Sequence, residues 1–405
     1  MQKGTNMISM DMLRDAQKIL EPVITKTPVI PANGIVPDCN FYLKAECLQK
    51  TGAFKLRGAY YKIAALSDEE RARGVIACSA GNHAQGVAYA SRDMGVKATI
   101  CIPEGAPISK IEATRSYGVD VVLVPGVYDD AYTEACRLRD EKDYTFIHPF
   151  DDYQIMAGQG TIGLEIIEQL PDVDVVFVPI GGGGLIGGVA YAIKSLKPDC
   201  QVIGVQAAGA PSMVRSLEQG RIITLDSVKT VADGIKVKTP GKYTFEMCQK
   251  YVDKVITVTE SQIASAILTI LEKQKLVAEG AGAVATAAAM YGDIYLKGKT
   301  VCSLLSAGNV DVTMLERIIT RGLIYSGRTV SFSTVLPDQP RALTGILNII
   351  SGTGANILDV NHLHKDDRAG VDSCVVQLTV ETYNQKHVDK MLEELRTHGY
   401  TVMER

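Results

Sequence analysis

Short apolar runs that alternate with amphipathic helical stretches are the feature that most restricts the fold of this chain. The runs are rich in β-branched residues and bounded by Gly, Pro or Asp, which is typical of buried strands: Val75–Cys78, Lys97–Ile102, Val119–Val124, Val173–Pro179, Gln201–Val205 and Val301–Leu305. Strands that alternate with helices predict an α/β fold whose largely parallel sheet is covered by helices on both faces. In such sheets, ligands bind where the carboxyl ends of strands lead into helices.

The residues after about position 327 follow a different pattern. Thr329–Leu336 and Ala355–Leu363 predict strands, and alternating apolar residues from Cys374 to Val380 predict a third. Apolar residues at helical spacing predict one helix before position 352 and another that begins near Gln385. With a final strand at Tyr400–Met403, the order βαββαβ predicts a small ferredoxin-like unit.

Composition and charge argue against several classes of protein. The chain has 42 Lys and Arg against 46 Asp and Glu, whereas a nucleic-acid binder normally has a basic excess. Its nine cysteines are scattered without a CxxC pair, which argues against a disulfide framework and a zinc cage and fits a reducing compartment. The longest charge-free run, Val175–Ile193, contains Pro179 and a glycine run, so we do not interpret it as a membrane span. The N-terminal residues lack the apolar core of a signal peptide, and we expect a cytoplasmic protein.

The first of three candidate binding loops contains a lysine at a predicted helix start. In TGAFKLRGA, a glycine precedes the helical run, so Lys55 falls in the first turn. The positive end of the helix dipole and the nearby Arg57 disfavour a charged amine there, which predicts a lowered pKa and suits Schiff-base chemistry. The alternative interpretation is a solvated surface lysine beside two other cations.

The second loop, CSAGNHAQG at residues 78–86, leads from a strand into a helix. Its small residues allow a ligand to approach the backbone, and free N–H groups at a helix start bind anions such as a carboxylate. Asn82 can donate or accept a hydrogen bond at the same place. The alternative is an ordinary turn in which Ser79 or Asn82 caps the helix.

The third loop contains four consecutive glycines, Gly181–Gly184, again between a strand and a helix. Such a run is conformationally costly, and a phosphate held by successive backbone amides is the leading explanation. The sequence also fits GxGxxG, but a dinucleotide fold needs an acidic residue about twenty residues further on. The next predicted strand is followed by no acid until Glu218, which disfavours nicotinamide binding.

The three loops together have the groups needed to bind pyridoxal phosphate: an amine for its aldehyde at Lys55, an amide for its ring hydroxyl at Asn82, and backbone N–H groups for its phosphate at Gly181–Gly184. The sequence resembles the threonine dehydratase (threonine ammonia-lyase) family of fold-type-II pyridoxal-phosphate enzymes that carry a C-terminal ACT regulatory domain. The resemblance rests on six segments that follow one another over about residues 20–325: TGAFKLRGA, SAGNHAQG, AGQGT, PIGGGGLIGG, EGAGA and SAGN. It implies a two-lobed, tryptophan synthase β-like catalytic domain at residues 1–327, a small lobe inserted at roughly 45–155, and an ACT domain at residues 328–405.

The resemblance also assigns roles to individual residues. It implies that Lys55 binds the cofactor covalently and moves the substrate α-proton, that Phe54 lies against the ring, and that Asn82 contacts the ring hydroxyl. Ser306 matches the partner of the pyridine nitrogen. The phosphate would be held by the backbone amides of Gly181, Gly182, Gly183, Gly184 and Leu185, and the substrate carboxylate by Ser79, Asn82 and His83. The implied reaction converts L-threonine to 2-oxobutanoate and ammonia.

We predict no metal site. Related serine racemases bind a divalent ion through acidic side chains, and the matching stretch here, residues 206–212, contains no carboxylate. His362 and His364, followed by Asp366 and Asp367, are interpreted as a solvated strand end. Glu279 has two open interpretations, a role near the cofactor ring or a cap on the following helix.

The ACT resemblance implies regulation and assembly. Members pair edge to edge and bind amino acids near the loop after the first strand, here Pro337–Leu343 with Asn356–Asp359 opposite. We expect isoleucine as effector, with valine or a nucleotide as open alternatives, and a homodimer or homotetramer without nucleic-acid or membrane partners. The open alternatives are a serine-preferring dehydratase or related β-elimination enzyme, a non-catalytic amino-acid sensor, and, more remotely, a nicotinamide dehydrogenase.

Overall fold

A computed structural model describes residues 7–404 of the chain. The chain forms two compact units, and the boundary between them in the sequence falls between Leu315 and Glu316. The strands, in chain order, are β1 (Val29–Pro31), β2 (Asn40–Ala45), β3 (Val75–Cys78), β4 (Ala98–Pro103), β5 (Asp120–Val124), β6 (Thr145–Phe146), β7 (Val175–Pro179), β8 (Gln201–Ala207), β9 (Lys254–Val258), β10 (Thr300–Leu305), β11 (Thr329–Pro337), β12 (Asn356–Leu363), β13 (Ser373–Glu381) and β14 (Met403–Glu404).

The helices of the described residues are α1 (Met10–Leu20), α2 (Lys55–Ala64), α3 (Asp68–Arg73), α4 (Asn82–Asp93), α5 (Ile108–Arg115), α6 (Tyr128–Lys142), α7 (Tyr153–Gln169), α8 (Gly184–Leu196), α9 (Ser212–Gln219), α10 (Lys242–Tyr251), α11 (Glu260–Gln274), α12 (Gly280–Tyr291), α13 (Val312–Tyr325), α14 (Ala342–Gly352) and α15 (Gln385–Thr397). Short 3-10 turns lie at Glu46–Leu48 and Asp233–Ile235. Within residues 7–404, no helix combines the length and apolar character needed to cross a membrane.

The first unit contains two sheets. The larger has the strand order β1-β2-β10-β7-β8-β9, and every pairing in it is parallel except that of β1 with β2. The smaller is fully parallel, with the order β5-β4-β3-β6. The carboxyl ends of β3, β7 and β10 each lead into one of the segments that the sequence singled out, as expected for ligand-binding edges of parallel sheets.

Helices α7 and α8 pack against each other at very short range because small residues line their contact. A Cβ atom on Gly188 would overlap the carbonyl oxygen of Met156, and one on Gly160 would lie 2.9 Å from the carbonyl oxygen of Gly188. This close packing fixes the start of α8, and with it the glycine loop, against the rest of the unit.

All six predicted strands of the first unit are present, and four observed strands were not predicted. Val75–Cys78 agrees at both ends, and the others differ by a residue or two. The missed strands are β1, β2, β6 and β9. β1 and β6 are very short, and β9 lies at a sheet edge with only its last residue, Val258, buried. A search for continuous apolar runs does not detect such strands.

The second unit has the predicted βαββαβ order, in an antiparallel sheet arranged β12-β13-β11-β14. Its core forms between the sheet and the apolar faces of α14 and α15, with Ile346, Ile350, Met391 and Leu395 buried. The division between the units falls inside α13, earlier than the expected boundary at residues 327–328, which immediately precedes β11. The finer domain and lobe boundaries stay predictions.

Candidate active site

Contacts between the loops bring the predicted site residues of the first unit together. The backbone N–H of Phe54 donates to the carbonyl of Ser306 at 3.1 Å, which joins the lysine loop to the end of β10. The side-chain amide of Asn309 donates to the Asn82 side-chain oxygen at 2.8 Å and to the Thr51 carbonyl at 2.7 Å. The asparagine loop is therefore joined to the same two segments.

Lys55 is the first residue of α2, as the sequence predicted. Its side chain is partly exposed, and its Nζ donates to the carbonyl oxygen of Pro149 at 2.6 Å and lies 5.4 Å from the centre of the Phe54 ring. Burial lowers the pKa of Lys55 from 10.5 to about 8. A carbonyl carries no charge to offset the loss of water around the ammonium group, so the neutral amine is favoured.

The pKa of Lys55 is lowered, as the sequence predicted, but Arg57 is not the cause. The guanidinium of Arg57 is fully buried and turned into a cluster with Lys44, Glu46 and Glu165, which we call the buried ion network. Arg57 binds Glu46 through Nε at 2.9 Å and Nη2 at 2.8 Å, and binds Glu165 through Nη1 at 2.6 Å. The carboxylates of Glu46 and Glu165 neutralise the charge of Arg57. The lowered pKa of Lys55 is therefore caused by burial of its amine and not by Arg57.

The segment from Ile147 to Asp151 is a part of the site that sequence reasoning missed. It supplies the Pro149 carbonyl to Lys55 and the Ile147 carbonyl to the ring of His83. Asp151 accepts hydrogen bonds from the first backbone N–H groups of α10. The contacts with Lys55 and His83 use backbone carbonyls, which leave no trace in residue identity, whereas those with α10 use the Asp151 side chain. The polar residues His148, Asp151 and Asp152 that follow β6 were the available signal.

Asn82, at the start of α4, lies between two polar side chains. Its amide nitrogen donates to Glu279 Oε1 at 2.7 Å, while its oxygen accepts from Asn309. Asn82 therefore has a fixed orientation, with its donor and acceptor atoms in defined positions. Asn309 lies in the recognised SAGN segment, but it was not among the predicted site residues.

Glu279 precedes α12 and is 3% exposed, but its side chain makes no capping hydrogen bond. The interpretation of Glu279 as a helix cap is therefore wrong, and the side chain faces Asn82 instead. Burial, aided by the nearby charge of Asp233, raises the pKa of Glu279 to about 8, while Lys110 opposes the shift. Glu279 is consequently a carboxyl group that is largely protonated at neutral pH.

The glycine loop meets the structural requirements of a phosphate site. Gly183 has φ +98°, in the left-handed region that favours glycine. At the start of α8, the backbone N–H groups of Gly182, Gly183, Gly184 and Leu185 have no hydrogen-bond acceptor among residues 7–404. Unpaired N–H groups at a helix start attract an anion, so this loop fits the phosphate of the expected cofactor.

Protein neighbours occupy the space on the other side of the glycine loop. A Cβ atom on Gly182 would overlap the Phe150 ring, and one on Gly184 would lie 2.7 Å from the Phe150 carbonyl oxygen. One on Gly181 would lie 3.0 Å from Ile235. The glycines are thus required by packing as well as by the exposure of their amides.

Ser306 follows β10 and is 2% exposed. Its hydroxyl donates a long hydrogen bond of 3.4 Å to the Ala281 carbonyl. Such a weak bond leaves the hydroxyl available to a better partner, which is compatible with the role that the family resemblance gives it. Its role towards the pyridine nitrogen stays a prediction.

Of the three candidate carboxylate-binding residues, Ser79 lies on the loop between β3 and α4, whereas Asn82 and His83 are the first two residues of α4. The side chains of all three are engaged in hydrogen bonds, those of Asn82 with Glu279 and Asn309 as described above. Ser79 Oγ accepts from the Gly81 N–H at 3.2 Å, and the His83 Nε2–H donates to Ile147 at 2.9 Å. Burial and the nearby Lys55 lower the pKa of His83 to about 3, so its ring is neutral. A carboxylate would therefore bind mainly to backbone N–H groups of this loop, and that role stays a prediction.

Comparisons with known proteins agree with this geometry. The sequence profile of the family described as "Pyridoxal-phosphate dependent enzyme" matches residues 20–307. An L-threonine ammonia-lyase from Thermotoga maritima is 48% identical over 398 residues, which cover 98% of this chain and 99% of that protein. A catabolic L-threonine dehydratase from Escherichia coli K12 is 41% identical, but its alignment covers 77% of this chain and 96% of that protein.

Among solved structures, the processed form of threonine deaminase isoform 2 from Solanum lycopersicum is similar, with a TM-score of 0.74 and 38% sequence identity. That similarity covers 78% of this chain and 90% of the tomato chain. The expected fold-type-II arrangement of parallel sheets is confirmed by this similarity together with the family match. The chain therefore belongs to the pyridoxal-phosphate dependent enzyme family, and its cofactor is pyridoxal phosphate.

Proposed function

We propose that this chain is an L-threonine ammonia-lyase that converts L-threonine to 2-oxobutanoate and ammonia. The observation that carries the proposal is the position of Lys55, an amine with a lowered pKa that lies next to the asparagine loop and the end of β10. The near full-length similarity to the Thermotoga maritima L-threonine ammonia-lyase supports the choice of substrate.

Different residues of the site are suited to different parts of the cofactor. The backbone amides of Gly181–Leu185 would hold its phosphate, Asn82 would bind its ring hydroxyl, Ser306 would bind its ring nitrogen, and Phe54 would lie against its ring. When bound, pyridoxal phosphate supplies an aldehyde that joins to amines and a ring that accepts electron density from the substrate α-carbon. Because Ser306 is a neutral hydroxyl, it leaves the ring a weaker electron acceptor than a carboxylate partner would.

Lys55 carries out the proton transfer. A pKa of about 8 leaves an appreciable fraction of neutral amine near neutral pH, and a neutral amine is both the nucleophile and the base that the reaction needs. The Pro149 carbonyl fixes the direction of the amine without contributing a negative charge that would raise its pKa.

The asparagine loop orients the substrate. Its backbone N–H groups at the start of α4 form the positive end of that helix and are suited to binding the substrate carboxylate. The family resemblance matches Ala80 to the position where related serine racemases carry a second acid–base hydroxyl, and an alanine there cannot transfer a proton. This arrangement favours elimination over racemisation.

The proposal is tested by incubating the purified protein, saturated with pyridoxal phosphate, with L-threonine and measuring both 2-oxobutanoate and ammonia. We expect equal amounts of the two products. Comparing kcat/KM for L-threonine and L-serine decides between this activity and the alternative of a serine-preferring dehydratase. If neither product forms from L-threonine, the proposal is wrong.

We further propose that the second unit is an ACT domain that senses isoleucine, in an enzyme of isoleucine biosynthesis. The βαββαβ order supports this assignment. The Escherichia coli relative, almost all of which is aligned, matches only part of this chain, which supports a separate role for the remainder. Turnover by the full chain should change when isoleucine is added, and Asn356→Ala should reduce that change while leaving basal turnover intact. Leucine provides the control effector.

We also propose a homodimer or homotetramer in the cytoplasm. The exposed edges β12 and β14 are suited to edge-to-edge pairing between two copies of the second unit. All nine cysteines are free, which supports a reducing compartment. Light scattering of the purified protein gives the mass, and a monomeric mass would contradict the assembly.

A further inference from the structure

Three side chains with metal-binding atoms meet at one end of the antiparallel sheet of the second unit. They are Asp338, His362 and Cys374, and one potential ligand atom from each lies within 4.8 Å of the other two. Asp338 and His362 are exposed, whereas Cys374 is 1% exposed. The cluster is thus open to solvent on one side and anchored in the core on the other.

The fold brings the three residues together from distant parts of the sequence. Asp338 directly follows the last residue of β11, His362 is near the end of β12, and Cys374 is near the start of β13. β13 pairs with both other strands, placing Cys374 opposite Leu336 and Val376 opposite His362. The three positions are therefore held by the hydrogen bonds of the sheet.

The contacts within the cluster are close. His362 Nε2 lies 2.8 Å from Cys374 Sγ, and the His364 ring lies 4.4 Å from the His362 ring. His364 Nδ1 lies 3.4 Å from the carboxylate of Asp338. Four residues that can each bind a metal through one atom therefore form two adjoining pairs.

The ligand set and its spacing fit one metal ion. Zinc binds cysteine sulfur at about 2.3 Å and histidine nitrogen at about 2.0–2.1 Å in a tetrahedral arrangement, so two atoms bound to one ion lie roughly 3.6 Å apart. A group already within 4.8 Å needs only small side-chain movements to reach that spacing. Thiolate, imidazole and carboxylate together are typical ligands of zinc and of other divalent transition metals.

We propose that Asp338, His362 and Cys374 bind a divalent transition metal ion of the zinc class, with His364 placed to supply the fourth ligand. This site revises our sequence-based interpretation, which grouped the two histidines with Asp366 and Asp367 as a solvated strand end. The structure pairs the Asp366 carboxylate with Arg368 instead, through bonds of 2.8 and 2.7 Å. The acid that joins the histidines comes from a different strand.

Zinc binding by the full-length holoenzyme tests the proposal. Wild-type protein is dialysed against buffered free Zn²⁺, and the bound metal is measured by elemental analysis alongside the His362→Ala and Asp366→Asn variants. We expect one strongly bound zinc ion per wild-type chain, affinity at least about 100-fold weaker in His362→Ala, and no change in Asp366→Asn. His362 is exposed, so its replacement does not open the core.

Cobalt provides a spectroscopic check of the cysteine ligand. A Co²⁺ ion bound to a thiolate gains a sulfur-to-metal charge-transfer absorption, which is recorded as a difference from the same holoenzyme without cobalt. The band should appear in wild type and in the control Cys136→Ser, and should be absent from Cys374→Ser. Unchanged circular dichroism establishes that each variant is folded.

Two results would overturn the metal site. One is the absence of zinc uptake by the wild-type protein at free Zn²⁺ concentrations that fill ordinary protein zinc sites. The other is zinc binding of equal strength in wild type and His362→Ala, which would locate the ion elsewhere. Neither result bears on the production of 2-oxobutanoate, so the metal site and the proposed reaction are tested separately.

Discussion

Burial lowers the pKa of two lysines in the first unit, Lys44 and Lys55, but their surroundings differ. Lys44 is fully buried and binds Glu165 at 2.6 Å within the buried ion network. Lys55 is partly exposed and donates to an uncharged carbonyl. Burial lowers the pKa of both, but the carboxylates Glu165 and Glu46 oppose the shift for Lys44. A paired lysine holds the structure together, whereas a lysine without a carboxylate partner is chemically available.

The strongest test of this comparison is Lys55→Ala. We expect turnover of L-threonine to fall by at least about 10⁴-fold, because the nucleophile and the base are removed together. The free energy of unfolding should change by less than about 1 kcal/mol, since one hydrogen bond is lost at a partly exposed site. Activity and urea denaturation are measured on the same preparation. Substantial turnover at normal cofactor content would remove Lys55 from its assigned role.

Arg57→Met tests the other half of the comparison. Removing the cation leaves Glu46 and Glu165 buried beside a single remaining lysine, and breaking such a pair costs about 3–5 kcal/mol of stability. The measurement is the urea midpoint and slope. Arg71→Met, which breaks an exposed ion pair with Asp68, provides the control and should change stability by less than about 1 kcal/mol. Equal effects of the two changes would contradict the structural role of the network.

The pH dependence of cofactor uptake sharpens the comparison. A lysine with a pKa of about 8 has at pH 7 a neutral fraction roughly two hundredfold larger than an ordinary lysine. The rate at which apoenzyme captures pyridoxal phosphate should therefore rise with pH and level off above about pH 8. Stopped-flow absorbance measures this rate. A rate that keeps rising to pH 10 would mean that Lys55 has the pKa of a solvated lysine.

Glu279→Gln is expected to have the smallest effect. The folded-state pKa of Glu279 is raised to about 8, so its contribution to stability is present at low pH and is lost as the pH rises through 8. A glutamine can still accept the Asn82 hydrogen bond, so wild type and variant should have similar stability at pH 5. At pH 9 the variant should be the more stable protein. The measurement is the urea midpoint of both proteins at the two pH values. A variant that is less stable than wild type at pH 9 would contradict the raised pKa of Glu279.

The sequence predicted those features of the site that depend on local patterns. A buried strand such as Val75–Cys78 has a continuous apolar run, and the small residues after it mark a candidate ligand-binding loop. Lys55, Asn82 and the glycine loop were found for this reason. Ser306 was found by the resemblance of its SAGN segment.

Features that depend on distant partners were not predictable in the same way. Arg57 looked like a cation beside Lys55 because its partner Glu165 is 108 residues away. The Pro149 carbonyl is a backbone atom, which any residue supplies. Asp338 and Cys374 become neighbours of His362 only when three strands pair. In each case the missing information was the tertiary arrangement, not the chemistry of the residue.

The contact of Phe150 with the glycine loop decides how this pocket can be redesigned. At Gly182 an added methyl group would meet the aromatic ring, so a smaller residue at position 150 would make room for alanine. At Gly184 it would meet the main chain of Phe150, which no replacement of that side chain removes. An engineer could therefore alter the first glycine through a paired substitution, whereas the second would have to be left unchanged.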